Sequence, residues 1–234
     1  MSKIYLVLFY LLIGMSVTAQ QKKGKKGEPM TEIGLGLQMT DIHAVILRAT
    51  TTGTTYGVTL KVLPYLVLKD GTIYSRLDIS PHDFDLDASR RLMPKRWGTW
   101  TKSGTQYQVQ FSGGKPQQWE NWYATKPAAE GETIAGIFKC VGGISSSNVH
   151  KFNTLILKKD GTFTWRYFYK SNKKFIPHST DREIKGTYHL NSYTIEFKYH
   201  SGEIERFMFA KFKDEAGFTI GVKSFAEFEH PLLN

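Results

Sequence analysis

Cysteine is almost absent: Cys140 stands alone in 234 residues. A disulfide framework is therefore excluded, and a chain of this size must hold together through a hydrophobic core. Cys140 lies in the apolar run Ile137-Phe138-Lys139-Cys140-Val141, which predicts a buried, unreactive thiol. Beyond residue 19 no apolar stretch approaches the roughly 20 residues of a spanning helix, so no transmembrane segment is expected there. Helix signals are equally sparse; only Phe84 to Met93, stopped by Pro94, reads as one. Also missing are a nucleophile elbow, a Walker loop, a His-Glu-x-x-His pair and a Cys-x-x-Cys pair. These absences leave a non-catalytic protein without a cofactor as the first reading. A hydrolase built on two acids that meet only in space is the third-ranked alternative.

The first 19 residues read as a secretory signal. Lys3 supplies the positive start, Ile4 to Ile13 form an unbroken apolar run, and Val17-Thr18-Ala19 is a small-residue end suited to cleavage. Export to the periplasm or the medium is the expectation. Of the formal net charge of +10, one unit leaves with Lys3 and four sit in Lys22-Lys23-Gly24-Lys25-Lys26, which leaves +5 spread along the rest. Residues 20–31 thus read as a basic, flexible tether, and the dispersed remainder argues against a nucleic-acid partner.

Self-similarity is the strongest feature of the remaining chain. Asp70-Gly71-Thr72-Ile73-Tyr74-Ser75-Arg76 is matched by Asp160-Gly161-Thr162-Phe163-Thr164-Trp165-Arg166, and Gly98-Thr99-Trp100 by Gly186-Thr187-Tyr188. Gly114 and Gly202 follow these second motifs at one common spacing. Three markers in one order imply a duplication, with copies over 32–128 and 129–234. Asp-Gly between apolar runs predicts a hairpin with a type I′ turn, in which both residues have φ above zero. Gly98 and Gly186 are expected at a bulge or bend where a strand enters. Alternation supplies the strands. Tyr193, Ile195, Phe197 and Tyr199 share one face, as do Tyr107, Val109 and Phe111, and as do Phe163, Trp165, Tyr167 and Tyr169. Period two predicts an antiparallel, all-β meander with one face buried, closed into a barrel or stacked as a sandwich.

An Asp-Gly-Thr-aromatic hairpin, a Gly-Thr-aromatic strand and a further glycine turn resemble the lipocalin-like repeats of bacterial exported proteins. The resemblance spans most of 60–120 and 150–210. It implies a closed or nearly closed antiparallel barrel, often with a cavity for a small apolar ligand, and the first functional reading is binding of a small apolar or amphiphilic ligand. Neither copy carries a Gly-x-Trp signature near its start, so no ligand residue is carried over from that family.

The candidate ligand-binding residues are Trp97, Trp100, Trp119, Trp122, Trp165, Tyr188, Arg76 and Arg166. Aromatic rings line apolar pockets or stack on sugars. The two arginines hold matching places in the repeats, where a cross-strand structural role competes with anion binding. An exposed Trp119 and Trp122 would favour the second-ranked reading, a surface module for glycan or protein. The polar segments Thr50 to Thr55 and Gly142 to Asn148 precede the two hairpins and are expected as loops at a barrel mouth. Pro81-His82 and Pro177-His178 also recur. His82 has Asp83, Asp85 and Asp87 beside it, but no second histidine stands at ligand spacing, so the acids read as a helix N-terminal turn and no metal is expected.

Overall fold

The computed structural model describes residues 27–54, 57–104, 106–120, 122–141, 149–171, 182–213 and 217–227. His178, residues 142–148 and the signal region lie outside them. The first half contributes β1 (Ile42–Thr54), β2 (Gly57–Leu68), β3 (Thr72–Ser75), β4 (Trp97–Ser103), β5 (Gln106–Phe111), β6 (Gln117–Trp119) and β7 (Trp122–Ala124). The second contributes β8 (Gly136–Val141), β9 (Val149–Leu157), β10 (Thr162–Ser171), β11 (Arg182–Asn191), β12 (Thr194–Tyr199), β13 (Ile204–Lys211), β14 (Gly217–Ile220) and β15 (Lys223–Glu227). One helix, α1 (Leu86–Leu92), interrupts the first half. Every strand pairing is antiparallel, and the fold is all-β as expected.

The two halves follow one path with different endings. Strands β8 to β15 pair in sequence, and β15 then pairs with β8 to close an eight-stranded barrel. Strands β1 to β6 run the same meander, and β7 returns to β1, but β6 and β7 remain the two edges of a seven-stranded, barrel-like sheet. The reason is length. The second half spends β13, β14 and β15 on closure, whereas the first has only two three-residue strands at that point.

The repeat markers hold equivalent places, though the turn differs in type from the expectation. Among the described non-glycine residues only Arg76 and Ser192 have positive φ, while Gly71 and Gly161 stand at 84° and 76°. Gly71 N–H donates to the Leu68 carbonyl at 3.3 Å and Gly161 N–H to that of Lys158 at 3.0 Å. Each hairpin is therefore a three-residue loop ending on a left-handed glycine, and not a type I′ turn. The threonine completes the motif. Asp70 Oδ1 accepts from Thr72 N–H at 2.9 Å and from its hydroxyl at 2.5 Å, and Asp160 binds Thr162 likewise at 2.9 and 2.6 Å. Partial desolvation raises the Asp70 pKa, but Thr72 and Arg90 outweigh it and hold the carboxyl below the ordinary aspartate range. Asp70→Ala is expected to cost about 1 kcal/mol, a melting temperature lower by about 2–4 °C. A carboxylate depressed in the folded state stabilises above its unfolded pKa, so the difference from wild type should fade as pH falls below about 4. Thermal scans at neutral and acid pH check both.

Gly98 and Gly186 are fixed by close approach. A Cβ at Gly98 would lie 2.5 Å from the Gln110 carbonyl oxygen, and one at Gly186 would lie 2.0 Å from that of Lys198. Two further expectations are corrected. The threonines up to Thr54 belong to β1 and are not a loop, because β-branched side chains favour the extended backbone. Tyr193 leaves the stripe it was expected to share. It sits in the turn after Ser192, outside the barrel, and its hydroxyl donates to the Thr125 carbonyl at 3.1 Å.

In the first sheet, strands β1 to β3 and the start of β4 are buried on both faces, where one was expected, while β5 and β6 keep one face exposed. Ala44, Ile46, Tyr65, Val67, Ile73, Tyr107, Val109 and Trp119 fill its concave side. Val45, Leu47, Leu66, Leu68, Tyr74 and Trp97 point the other way and pack with Tyr193, Met208 and Ala210 of the second half. The halves therefore share a core. Polar contacts reinforce it: Asp83 Oδ1 lies 2.6 Å from Arg206 Nη1, and Ser80 Oγ lies 2.8 Å from Thr194 Oγ1. Asp78 O and Arg206 O accept from Met208 N–H and Ser80 N–H at 3.2 and 3.3 Å, so residues 78–80 add a short rung to β13. The chain before Ile42 is tied down as well. The Glu28 carboxylate takes Asp78 N–H at 2.9 Å and Arg96 Nη1 at 2.6 Å, so Glu28, read as part of the tether, is held in place, while residues 20–26 of that segment lie outside the described residues.

Among the acids near Phe84, Asp85 caps α1 by accepting from Ala88 N–H at 2.8 Å, as the helix reading required. Asp83 does not; it is the buried partner of Arg206. His82 Nδ1 lies 2.8 Å from the Leu37 carbonyl oxygen, a structural contact.

Candidate functional site

Trp100, Trp119 and Trp122 come together on the concave side of the first sheet. Trp119 ends β6 and Trp122 begins β7, so the two flank the edge where that sheet stays open. Tyr107 connects them. Its ring lies 4.4 Å from that of Trp122, edge to face, and 5.4 Å from Trp100, and on the ladder it stands opposite Trp119. Tyr65 meets Trp119 at 4.4 Å. His43 sits at the β1 bulge, stacked on Trp100 at 4.6 Å with its Nε2 3.4 Å from the Tyr107 hydroxyl.

One cation enters this aromatic lining. Even-numbered residues of β1 face inward, since Ala44 and Ile46 do, and Arg48 continues the series. Its guanidinium carbon lies 4.7 Å from the centre of the Trp119 ring, within cation–π range. Its strand neighbours are Leu63 on β2 and Trp122 on β7. The Arg48 Nε is buried and has no hydrogen-bond partner among the described residues. An N–H in that position loses its hydration without replacement, a state that costs free energy until an acceptor arrives. The Trp119 indole N–H is buried in the same condition.

Trp119 is only 1% exposed. That removes it from any surface reading, because a stacking platform for glycan must present its face to solvent. Trp122 and Trp100 are half-buried, and the Trp100 indole N–H donates to the Leu68 carbonyl at 2.9 Å. Trp97 faces the opposite way, into the shared core, with Tyr74 at 5.0 Å and Arg90 over its ring at 5.1 Å.

The remaining candidates belong to other places. Trp165 and Tyr188 lie in the closed barrel. There Phe163, Phe197, Phe209, Phe218 and Phe225 are at most 2% exposed, so among the described residues that interior is filled by side chains. Trp165 packs 5.5 Å from Phe197 and 5.9 Å from Phe225. The Tyr188 hydroxyl is occupied by the backbone of Ile134, donating to its carbonyl at 2.6 Å and accepting from its N–H at 2.9 Å. Cys140 is half-buried against the same core, and desolvation pushes its thiol pKa up.

The two arginines of the repeat are not equivalent in space. Arg76 has left β3, stands at φ 62° and is exposed. Arg166 lies within β10 and pairs across the ladder with Glu183 at 3.5 Å, the cross-strand role that competed with anion binding. It borders a cleft of about 430 Å³ on the outer side of the barrel, with Lys158, Lys185, His200 and Ile156. Glu183 also lies 3.5 Å from Lys185, so the cleft's central charges answer one another. No group of three or more His, Cys, Asp or Glu among the described residues is arranged to hold a metal ion.

Sequence reading found the tryptophans but missed Arg48 and His43. The inward alternation of Ala44, Ile46 and Arg48 was the available signal, and it required knowing that β1 is buried on both sides. No helix among the described residues is long and apolar enough to cross a membrane. Against this geometry, no family model, curated protein or solved structure matches the chain.

Proposed function

We propose that this chain is an exported, non-catalytic protein that binds a small amphiphilic anion, such as a fatty carboxylate, at the open edge of its first sheet. The carrying observation is Arg48: a guanidinium stacked on Trp119, with a buried and unanswered Nε, beside half-buried Trp122. A ligand carboxylate would supply the missing acceptor in a charge-assisted hydrogen bond, and its apolar body would cover Trp122 and Leu63. The filled second barrel then serves as a scaffold, joined to the first sheet through the shared core.

Titration with cis-parinaric acid, a fluorescent fatty acid, tests the reading. Binding with energy transfer from the tryptophans is expected, and Arg48→Gln should weaken it by about 10- to 100-fold, the worth of a hydrogen bond to a charged group. The corresponding alcohol should bind the wild type about as weakly as the acid binds the variant. Equal affinity of wild type and Arg48→Gln for the acid would remove the site. Failure of the wild type to bind either probe would remove the amphiphile.

A further inference from the structure

The cleft of about 430 Å³ on the outer side of the closed barrel has charges that do not balance. Leu155, Leu157, Phe163 and Trp165 fill the barrel interior, so alternation turns Ile156, Thr164 and Arg166 outward. On β11 the same parity puts Ile184 against the core and leaves Glu183 and Lys185 outside. The ladders set Arg166 opposite Glu183, and Thr164 between Ile156 and Lys185. Short and long side chains are thereby sorted. Ile156, Thr162 and Thr164 are half-buried and form a floor, while Lys158, Arg166, Glu183 and Lys185 are exposed and stand as walls. His200 borders one side, where its backbone N–H donates to the Lys185 carbonyl at 3.0 Å.

Three cations of the lining, Lys158, Arg166 and Lys185, meet one carboxylate, Glu183. Arg166 Nη2 and Lys185 Nζ approach the same oxygen of that carboxylate, Oε1, each at 3.5 Å. Both contacts are longer than the roughly 2.7–2.9 Å of a charge-assisted hydrogen bond, so Glu183 does not satisfy either cation. Asp160, in the adjoining hairpin loop, leaves the excess as it is. Lys159 stands beside it, and its Oδ1 is taken by the Thr162 N–H and hydroxyl. Three cations less one carboxylate leave the cleft positive, and a concave surface of one sign concentrates anions.

The single carboxylate narrows the class of anion. Glu183 repels a bare phosphate or sulfate, but its second oxygen can accept a hydrogen bond from a hydroxyl. Phe163, the aromatic residue of the lining, is 2% exposed and offers no ring face on which a nucleobase could stack. An anion that carries hydroxyl donors and an apolar ring face for Ile156 answers each of these features. The volume suits a small molecule, since ligand sites run from about 300 to 1,000 Å³. We infer that this cleft binds an acidic saccharide, a small uronate, with its carboxylate among Arg166, Lys185 and Lys158 and its hydroxyls on Glu183. The inference is independent of Arg48 and of any ligand in the first sheet.

Isothermal titration of the purified protein with the disaccharides of galacturonate and of mannuronate tests it. At least one should bind at low salt. Its methyl ester, which keeps the hydroxyls without the charge, should bind at least about tenfold more weakly. Arg166→Gln and Lys185→Gln should each weaken the acid by about tenfold. Glu183→Gln separates a sugar from a bare anion: it should cut the preference for the uronate over sulfate by at least about tenfold, because sulfate alone is repelled by the carboxylate without using it. Thermal scans should return wild-type melting temperatures for all three variants, since the replaced side chains are exposed and their ion pairs are long. No binding of either disaccharide, equal binding of acid and ester, or an unchanged preference in Glu183→Gln overturns the inference. Arg48→Gln should leave the titration as in wild type; loss of uronate binding there would place the sugar in the first sheet and overturn it as well.

Discussion

Arg206→Ala should lower the stability of the whole chain by about 3–5 kcal/mol. Asp83 is 1% exposed and the Arg206 side chain 15%, so the pair is cut off from water. Arg206 Nη1 lies 2.6 Å from Asp83 Oδ1, and its Nε is 3.4 Å from Glu196. Truncating the arginine strands the Asp83 carboxylate in the shared core, where neither solvent nor another cation among its described contacts replaces it. At roughly 2–4 °C per kcal/mol for a chain of this size, the melting temperature should fall by about 6–20 °C. Asp83→Asn combined with Arg206→Met should recover much of this, since removing both charges ends the desolvation penalty. Because the pair joins the two halves, wild type should unfold in one calorimetric transition. A single-variant loss under about 1 kcal/mol, or two separate transitions in wild type, would refute the shared-core account.

Phe197→Ala should cost a similar amount, about 3–5 kcal/mol, for a different reason. Phe197 is fully buried in the closed barrel, with Phe163 at 4.7 Å, Trp165 at 5.5 Å and Phe207 at 6.3 Å. A closed barrel cannot collapse around the lost ring without breaking its ladders, so most of the cavity should persist. Phe197→Leu, which keeps most of the volume, should cost under about 1.5 kcal/mol. Urea titrations give both values. Trp165 lies beside the cavity, and its emission should shift to the red in the alanine variant alone. Equal losses for leucine and alanine would mean that the interior is not close-packed at this level.

These two residues also divide what could be read early from what could not. Phe197 was visible, because alternation over Ile195, Phe197 and Tyr199 is a local pattern that a half-buried strand imposes on its own residues. Asp83 was misread as a helix-capping acid. Its neighbour Asp85 does cap α1, and nothing within a few positions separates the two. The distinction lies with Arg206, 123 positions away. Trp97 and Trp100 stand three apart on β4, so period two already places them on opposite faces; that both faces there are covered, one by the shared core, depends on distant parts of the chain.

The amino-acid sequence by itself determined the antiparallel meander, its duplication and the places of its turns, though not their type. Those follow from period two, from Asp-Gly-Thr loops in which one carboxylate serves the next threonine, and from glycines where a carbonyl passes too close for a Cβ. All are interactions over a few residues or across one ladder. Which half closes, that β1 to β3 are covered on both faces, and that Arg48 meets Trp119 were decided only in three dimensions. Each depends on surfaces that distant parts of the chain bring together, and side-chain direction along a strand says nothing about what waits on either side.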